Sequence, residues 1–196
     1  MDTRRSALLI IDVQNDFCPG GALPVPEGDQ VVPVLNRLAE RAGAVGLPVY
    51  ASRDWHPPES VHFKSGGGPW PVHCVAGTPG AQFHPDLRLP PGTLIVSAGT
   101  SGQDDGYSAF EGRIEGGGSF EEDLRARGIT HLIVGGLATD YCVRASVLDA
   151  RRLGIDVTVV TDAVRAINVQ PGDGERALQE MQAAGAELKT SDEVLS

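Results

Sequence analysis

Two side chains in this sequence, Asp12 and Cys142, are placed to act as a general base and a nucleophile. Asp12 ends the apolar run 7–11, which predicts a buried strand, so its carboxylate should emerge where open α/β sheets bind ligands. Cys142 follows a second apolar run and a Gly-rich turn at the predicted start of a helix, where the helix dipole lowers a thiol pKa and free N–H groups can hold an oxyanion. Taken singly, Asp12 could instead be a metal ligand or helix cap, and Cys142 a packed apolar side chain.

A second set of residues has the composition of a metal site. Asp54 and His56 lie two residues apart beyond a predicted strand, so in an extended chain they project to the same side. His62 and His73 follow in the same irregular segment, and His84 is a further histidine that need not be a ligand. Histidines with one carboxylate match Zn²⁺, Fe²⁺ or Mn²⁺ rather than Ca²⁺ or Mg²⁺. The spacing fits no closed zinc-finger pattern and predicts an open, catalytic-type site, although any one of these histidines alone would be interpreted as a surface residue.

Three aromatic side chains lie near these segments in a chain with only 5% aromatic residues: Phe17, Trp70 and Tyr107. Their faces could sandwich a flat ring substrate. Each could equally fill the core, and the sequence alone does not decide between the two.

The elements that must position these residues alternate between short apolar runs and helical patterns, which predicts a parallel sheet covered on both faces, a three-layer α/β/α arrangement. The predicted strands are Ala7–Ile11, Pro48–Ser52, Thr93–Ser97, His131–Gly135 and Asp156–Thr161, with Ala186–Lys189 as a candidate sixth. The predicted helices are Gln30–Gly43, Phe120–Arg127, Tyr141–Leu153 and Gly174–Ala184.

One segment, 53–92, interrupts this alternation with eight prolines and all but one of the histidines. An irregular stretch of that length is usually functional, so we expect it to form the metal-site loop of a single domain spanning 1–196.

Composition narrows the class of protein. A net charge of −10 argues against binding to nucleic acid or to an anionic membrane surface. No stretch approaches the length of a membrane span, and the N-terminal apolar run is too short for a signal peptide. Three cysteines are too few for a secreted disulfide framework. We therefore expect a cytoplasmic enzyme acting on a small molecule; whether it forms a homo-oligomer is left open.

Five ordered stretches together resemble the nicotinamidases (pyrazinamidases) of the isochorismatase-like cysteine hydrolases. The stretches are Ile10–Gly21, Asp54–Pro57, Trp70–Thr78, Tyr107–Phe110 and Gly136–Val143. Such a set is far more specific than any lone motif. The resemblance implies a six-stranded parallel sheet flanked by helices and the hydrolysis of nicotinamide to nicotinate and ammonia through a cysteine thioester, a step of NAD salvage (pyridine nucleotide biosynthesis).

The resemblance also implies roles for individual residues. Asp12 would be the general base and Cys142 the nucleophile. A cis peptide bond before Ala138 would direct the N–H groups of Ala138 and Cys142 into an oxyanion hole. One divalent ion (Zn²⁺, Fe²⁺ or Mn²⁺) would be held by Asp54, His56 and His73, with His62 as a further candidate ligand, and Phe17, Trp70 and Tyr107 would line the ring pocket.

The sequence departs from the family pattern at Ala98, where the pattern has the lysine of an Asp–Lys–Cys triad. Without an ammonium group there, the pKa of Asp12 should rise and the Cys142 thiolate should be harder to form. Neither of the two lysines, Lys64 and Lys189, is placed to substitute. Three interpretations stay open: an engineered Lys→Ala change, which the otherwise intact site favours; a slow natural enzyme; or a binding protein that has lost catalysis.

Other functions remain within the same superfamily. Related amidohydrolases act on carbamoyl or maleamate-type amides, and isochorismatases cleave a vinyl ether. Those relatives generally lack the Asp-Trp-His stretch at 54–56, so its presence favours a nicotinamidase. A non-catalytic ligand-binding relative is the alternative from a different class.

Overall fold

A seven-stranded sheet forms the centre of the protein, which is described by a computed structural model covering residues 5–196. In chain order the strands are β1 (Ser6–Ile11), β2 (Val49–Asp54), β3 (Leu94–Ala98), β4 (Arg113–Ile114), β5 (His131–Leu137), β6 (Asp156–Arg165) and β7 (Glu187–Lys189). Their spatial order is β4-β3-β2-β1-β5-β6-β7. Six of the strands are parallel, as predicted, and the two-residue edge strand β4 pairs antiparallel with β3.

Helices cover both faces of the sheet. They are α1 (Val31–Ala44), α2 (Phe120–Ala126), α3 (Arg144–Arg152), α4 (Asp173–Ala183) and α5 (Ser191–Leu195). The alternation along β1 separates two cores, because successive side chains of a strand point to opposite faces. Leu8 and Ile10 pack with α1 and α5, whereas Leu9 and Ile11 pack with α2, α3 and α4. The predicted three-layer arrangement is confirmed.

The short elements β4 and α5 were not predicted. A strand of two residues and a helix of five give too little periodicity to be found in a sequence. Neither contributes a residue to the site described below. No helix among the described residues is both long and apolar enough to cross a membrane.

Gly136, which the sequence placed in the turn after the predicted strand, belongs instead to β5. Gly135 and Gly136 pair with Ile10 and Ile11 of β1. A Cβ at Gly136 would lie 2.0 Å from the carbonyl oxygen of Ile11, and its φ of +129° is open mainly to glycine. Gly136 therefore allows the two central strands to approach each other next to the site.

Candidate active site

The candidate catalytic and metal-binding residues meet at the carboxyl edge of the parallel strands. Asp12 follows β1, Asp54 ends β2, Ala98 ends β3, and Cys142 follows β5. Open α/β sheets bind ligands at this edge, since the loops that leave the strands converge there. The segment 55–92 closes over this edge as an irregular loop containing two single turns of 3-10 helix.

Asp12 is a buried carboxyl group in an anionic environment. Its Oδ1 accepts a hydrogen bond of 2.6 Å from Ser52 Oγ, and its φ of +50° turns the chain sharply at the end of β1. Burial raises the pKa of Asp12 well above its ordinary value, and the nearby carboxylate of Asp54 raises it further. Asp12 therefore has the affinity for a proton that a general base needs, with no cation to hold it ionised.

Cys142 lies against Asp12 at the base of the site. Its thiol donates a hydrogen bond to the Asp12 carboxyl group, and its side chain is buried. Cys142 sits in the π-helical turn Thr139–Val143, which leads into α3. The helix start alone would lower the thiol pKa, but burial and the charges of Asp12 and Asp54 outweigh it and raise the pKa. Both shifts have the direction expected for a site without an ammonium group at position 98.

Four further side chains form a compact set of donors beside this pair. Asp54, His56, His62 and His73 each offer a ligand atom within 4.8 Å of the others, and all four are buried. Asp54 Oδ2 lies 3.3 Å from His56 Nε2 and 3.8 Å from His73 Nε2. Both ring nitrogens of His56 are buried without a hydrogen-bond partner. Orphaned polar atoms are costly in a protein interior, so this donor set fits a divalent metal ion.

Two of the histidines are oriented by contacts outside the cluster. His62 Nδ1 donates to Asp105 Oδ1 at 2.8 Å, and His73 Nδ1 donates to the carbonyl oxygen of Pro71 at 2.8 Å. Such bonds fix the ring and leave the other nitrogen to face a metal. Asp105 was not singled out from the sequence, because its separation of 43 residues from His62 gives no local signal.

Replacing His56 with alanine is expected to weaken Zn²⁺ binding by more than about 100-fold, since loss of an orienting partner alone costs 10–100-fold. The matched control is His84→Ala, because His84 lies outside the cluster and its Nδ1 accepts a hydrogen bond from the Asp86 N–H. Competition with a fluorescent zinc chelator measures both affinities. Equal affinities for the two variants would show that His56 is not a ligand.

A pocket above Cys142 contains the predicted aromatic side chains. Phe17, Trp70 and Tyr107 all line it, and Trp70 Nε1 donates a 2.7 Å hydrogen bond to the hydroxyl of Tyr107. Sequence reasoning missed four other lining residues: Leu23, Val25, Tyr141 and Ile167. Tyr141 directly precedes Cys142 and packs edge-on to Trp70 with ring centroids 4.9 Å apart. The pocket also reaches Asp54 and Ala138, so it joins the metal-type cluster to the nucleophile.

Ala98 lies on the same face of the sheet as the acidic side chains. It pairs in register with Asp54, and Ser52, the hydrogen-bond donor to Asp12, is two residues earlier on β2. Paired residues of parallel strands project to the same face, so a longer side chain at 98 would extend toward Asp12. Lys189 lies on β7 with Glu187, and Lys64 is exposed in the loop. Neither lysine supplies the missing cation.

The peptide bond between Leu137 and Ala138 is cis, as the resemblance predicts. Ala138 and Cys142 both line the pocket, one on each side of the first π-helical residues. Their assignment to an oxyanion hole stays a prediction.

Gln14 holds the backbone of Asp54 from both sides. Its Nε2 donates to the carbonyl oxygens of Asp54 and Ala81, and its Oε1 accepts from the Asp54 N–H, all within 2.9 Å. The neighbouring side chains act alike: Asn15 donates to the carbonyl of Pro79, and Asp16 accepts from the Cys74 N–H. Residues 14–16, hereafter the clamp, thus fasten the loop to the end of β1.

Replacing Gln14 with methionine is expected to lower the free energy of unfolding by about 3 kcal/mol, because three buried backbone groups lose their partner. Urea unfolding measures this change. The control is Gln179→Met on the exposed face of α4, where only a 3.5 Å side-chain contact is lost. Equal urea midpoints for the two variants would show that Gln14 does not stabilise the fold through these hydrogen bonds.

Known proteins resemble this chain over nearly its whole length. The family model for the Isochorismatase domain matches residues 6–193. A nicotinamidase of Escherichia coli is 46% identical, over 94% of this chain and 94% of its own. A pyrazinamidase of Pyrococcus horikoshii, solved in complex with zinc, shares 42% identity with a TM-score of 0.87, over 95% of this chain and 99% of its own. The L. infantum protein PnC1, solved in complex with nicotinate, shares 31% identity with a TM-score of 0.85, over 98% and 96%.

Proposed function

The chain belongs to the isochorismatase family, and from this premise we propose that it is an amidohydrolase that converts nicotinamide to nicotinate and ammonia. The observation that carries the proposal is the contact between the Cys142 thiol and the Asp12 carboxyl group at the base of an aromatic-walled pocket. That pair supplies a nucleophile and a base, and the pocket suits a flat ring that carries a carboxamide.

The first half of the reaction forms a thioester. Asp12 takes the thiol proton, and Cys142 Sγ attacks the carboxamide carbon. The backbone N–H groups of Ala138 and Cys142 donate to the developing oxyanion. Asp12 then returns its proton to the leaving amine, the C–N bond breaks, and ammonia departs.

The second half hydrolyses the thioester. Asp12 removes a proton from water, the hydroxide adds to the thioester carbon, and the C–S bond breaks. The Cys142 sulfur recovers the proton, and nicotinate is released. Neither half of the reaction changes the oxidation state of any atom.

Phe17, Trp70 and Tyr107 would enclose the ring, and the set Asp54, His56, His62 and His73 would hold one divalent ion. When bound, Zn²⁺, Fe²⁺ or Mn²⁺ would supply an electrophilic site for the pyridine nitrogen, directly or through bound water, and so orient the ring. Support comes from the two ring nitrogens of His56 that lack hydrogen-bond partners and from the zinc in the Pyrococcus horikoshii pyrazinamidase. A role in NAD salvage, a cytoplasmic location and a homo-oligomeric state stay predictions.

A direct test follows nicotinamide by proton NMR at high enzyme concentration, with Zn²⁺ present. We expect nicotinate and ammonia in equal amounts, at a low rate. The same measurement with a maleamate-type amide and with a carbamoyl amide distinguishes hydrolysis of nicotinamide from the activities of the related amidohydrolases. Turnover of either of those compounds, but not of nicotinamide, would replace the proposed substrate.

A ligand-binding protein without turnover is the second candidate, and the observation that favours it is Ala98. Titration calorimetry with nicotinamide separates binding from chemistry. Binding without nicotinate formation, even in the Ala98→Lys variant, would support this second function.

A further inference from the structure

A second set of metal-type donors lies beside the first. One ligand atom each from Asp12, Asp54 and Cys142 lies within 4.8 Å of the others, and all three residues are buried. The set offers two carboxylate oxygens and one sulfur. Thiolate sulfur selects soft or borderline ions such as Zn²⁺ over Mg²⁺ and Ca²⁺.

Asp54 provides an independent observation that points to a ligand here. Its two oxygens differ: Oδ2 faces His56 and His73, whereas Oδ1 is buried without any hydrogen-bond partner. The side chain is only 3% exposed, so bulk water has little access to this oxygen. An oxygen in this condition is suited to bind a cation.

The neighbouring strand β3, which pairs with β2, supplies no positive charge to this set of donors. Ala98 pairs in register with Asp54 and carries only a methyl group toward this face. Two carboxyl groups buried together without a cation are costly, and a bound divalent ion would offset that cost. Asp54 and Cys142 also line the pocket, which gives an ion a route of entry and an open coordination position.

We propose that Asp12, Asp54 and Cys142 form a second, inhibitory binding site for a thiophilic divalent cation, with Asp54 shared between the two donor sets. On binding, the sulfur–metal bond replaces the S–H bond and the thiol proton passes to the solvent, with no change of oxidation state. Binding stands on the geometry alone; the inhibition rests on the proposed role of Cys142 as nucleophile.

The test begins with metal-free protein equilibrated against buffered free Zn²⁺, followed by metal analysis. We expect two ions per chain, and one in Cys142→Ser and in Asp12→Asn. Cys18→Ser is the matched control, because Cys18 is a buried cysteine outside both donor sets, and it should retain two ions. Substitution with Co²⁺ should give a sulfur-to-metal charge-transfer band that Cys142→Ser lacks and Cys18→Ser keeps.

A second measurement needs no variant. Alkylation of Cys142 by iodoacetamide, followed by peptide mass spectrometry, should slow about tenfold at a free Zn²⁺ concentration ten times the second dissociation constant. One ion per chain in the unaltered protein, two ions in Cys142→Ser, or alkylation indifferent to Zn²⁺ would each overturn the proposal. These readouts are independent of turnover, so a protein that does not hydrolyse nicotinamide could still pass them.

Discussion

Replacing Ala98 with lysine is expected to raise the rate of ammonia release from nicotinamide by at least about 100-fold, the lower range for restoring a group that assists proton transfer. The reason lies in the charges at the base of the site. Asp12 and Cys142 both have raised pKa values because they are buried next to carboxylates. An ammonium group extending from 98 would stabilise the Asp12 carboxylate and the thiolate alike.

The control for this prediction is Ala98→Met, which adds similar length without charge. It should leave the rate near that of the unaltered chain. Alkylation of Cys142 by iodoacetamide at pH 8 is a second measurement that does not depend on turnover. A lower thiol pKa increases the thiolate fraction. Iodoacetamide should therefore react faster with the lysine variant, but not with the methionine variant. Equal rates in the lysine and methionine variants would mean that the missing charge does not limit the reaction.

The second large effect concerns Cys142. In the Ala98→Lys background, Cys142→Ala is expected to lower turnover by about 10⁴-fold or more, since removing a nucleophile disables residues that act as one unit. The lysine background is needed because it makes a loss of that size measurable. Acid quenching during turnover, followed by mass spectrometry, should show a nicotinoyl group on the peptide that contains Cys142.

Cys74→Ala in the same background is the matched control. Cys74 is also buried near Asp54, but it does not line the pocket. It should keep most of the turnover and the acyl adduct. An adduct on another residue, or turnover retained by Cys142→Ala, would rule out the thioester route.

The six parallel strands could be predicted because each is a short apolar run bounded by turn residues, which is typical of strands buried on both faces. Gly136 was misplaced because a glycine pair usually marks a turn. Its role depends on the approach of Ile11 from a strand more than a hundred residues earlier. Periodicity within one strand carries no information on how closely its neighbour lies.

The residues of the candidate site also divide into those that the sequence could predict and those that it could not. Asp54, His56, His62 and His73 could be grouped because they share one stretch of sequence and one ligand chemistry. Asp105 and Ile167 could not, because each reaches the site from a distant segment and has no chemistry that singles it out. The balance of effects on the Cys142 pKa depends on the fold in the same way. The helix start is visible in the sequence, whereas the burial and the two carboxylates that outweigh it depend on the fold.

The clamp formed by residues 14–16 has a consequence for how the loop that bears the histidines opens. The loop bearing the histidines is fastened at Asp54, Cys74, Pro79 and Ala81 by three consecutive side chains. Segments secured in this way open as cooperative units rather than residue by residue. Loss of one clamp side chain would therefore loosen the loop as a whole, and the histidines would lose their common geometry together rather than one at a time.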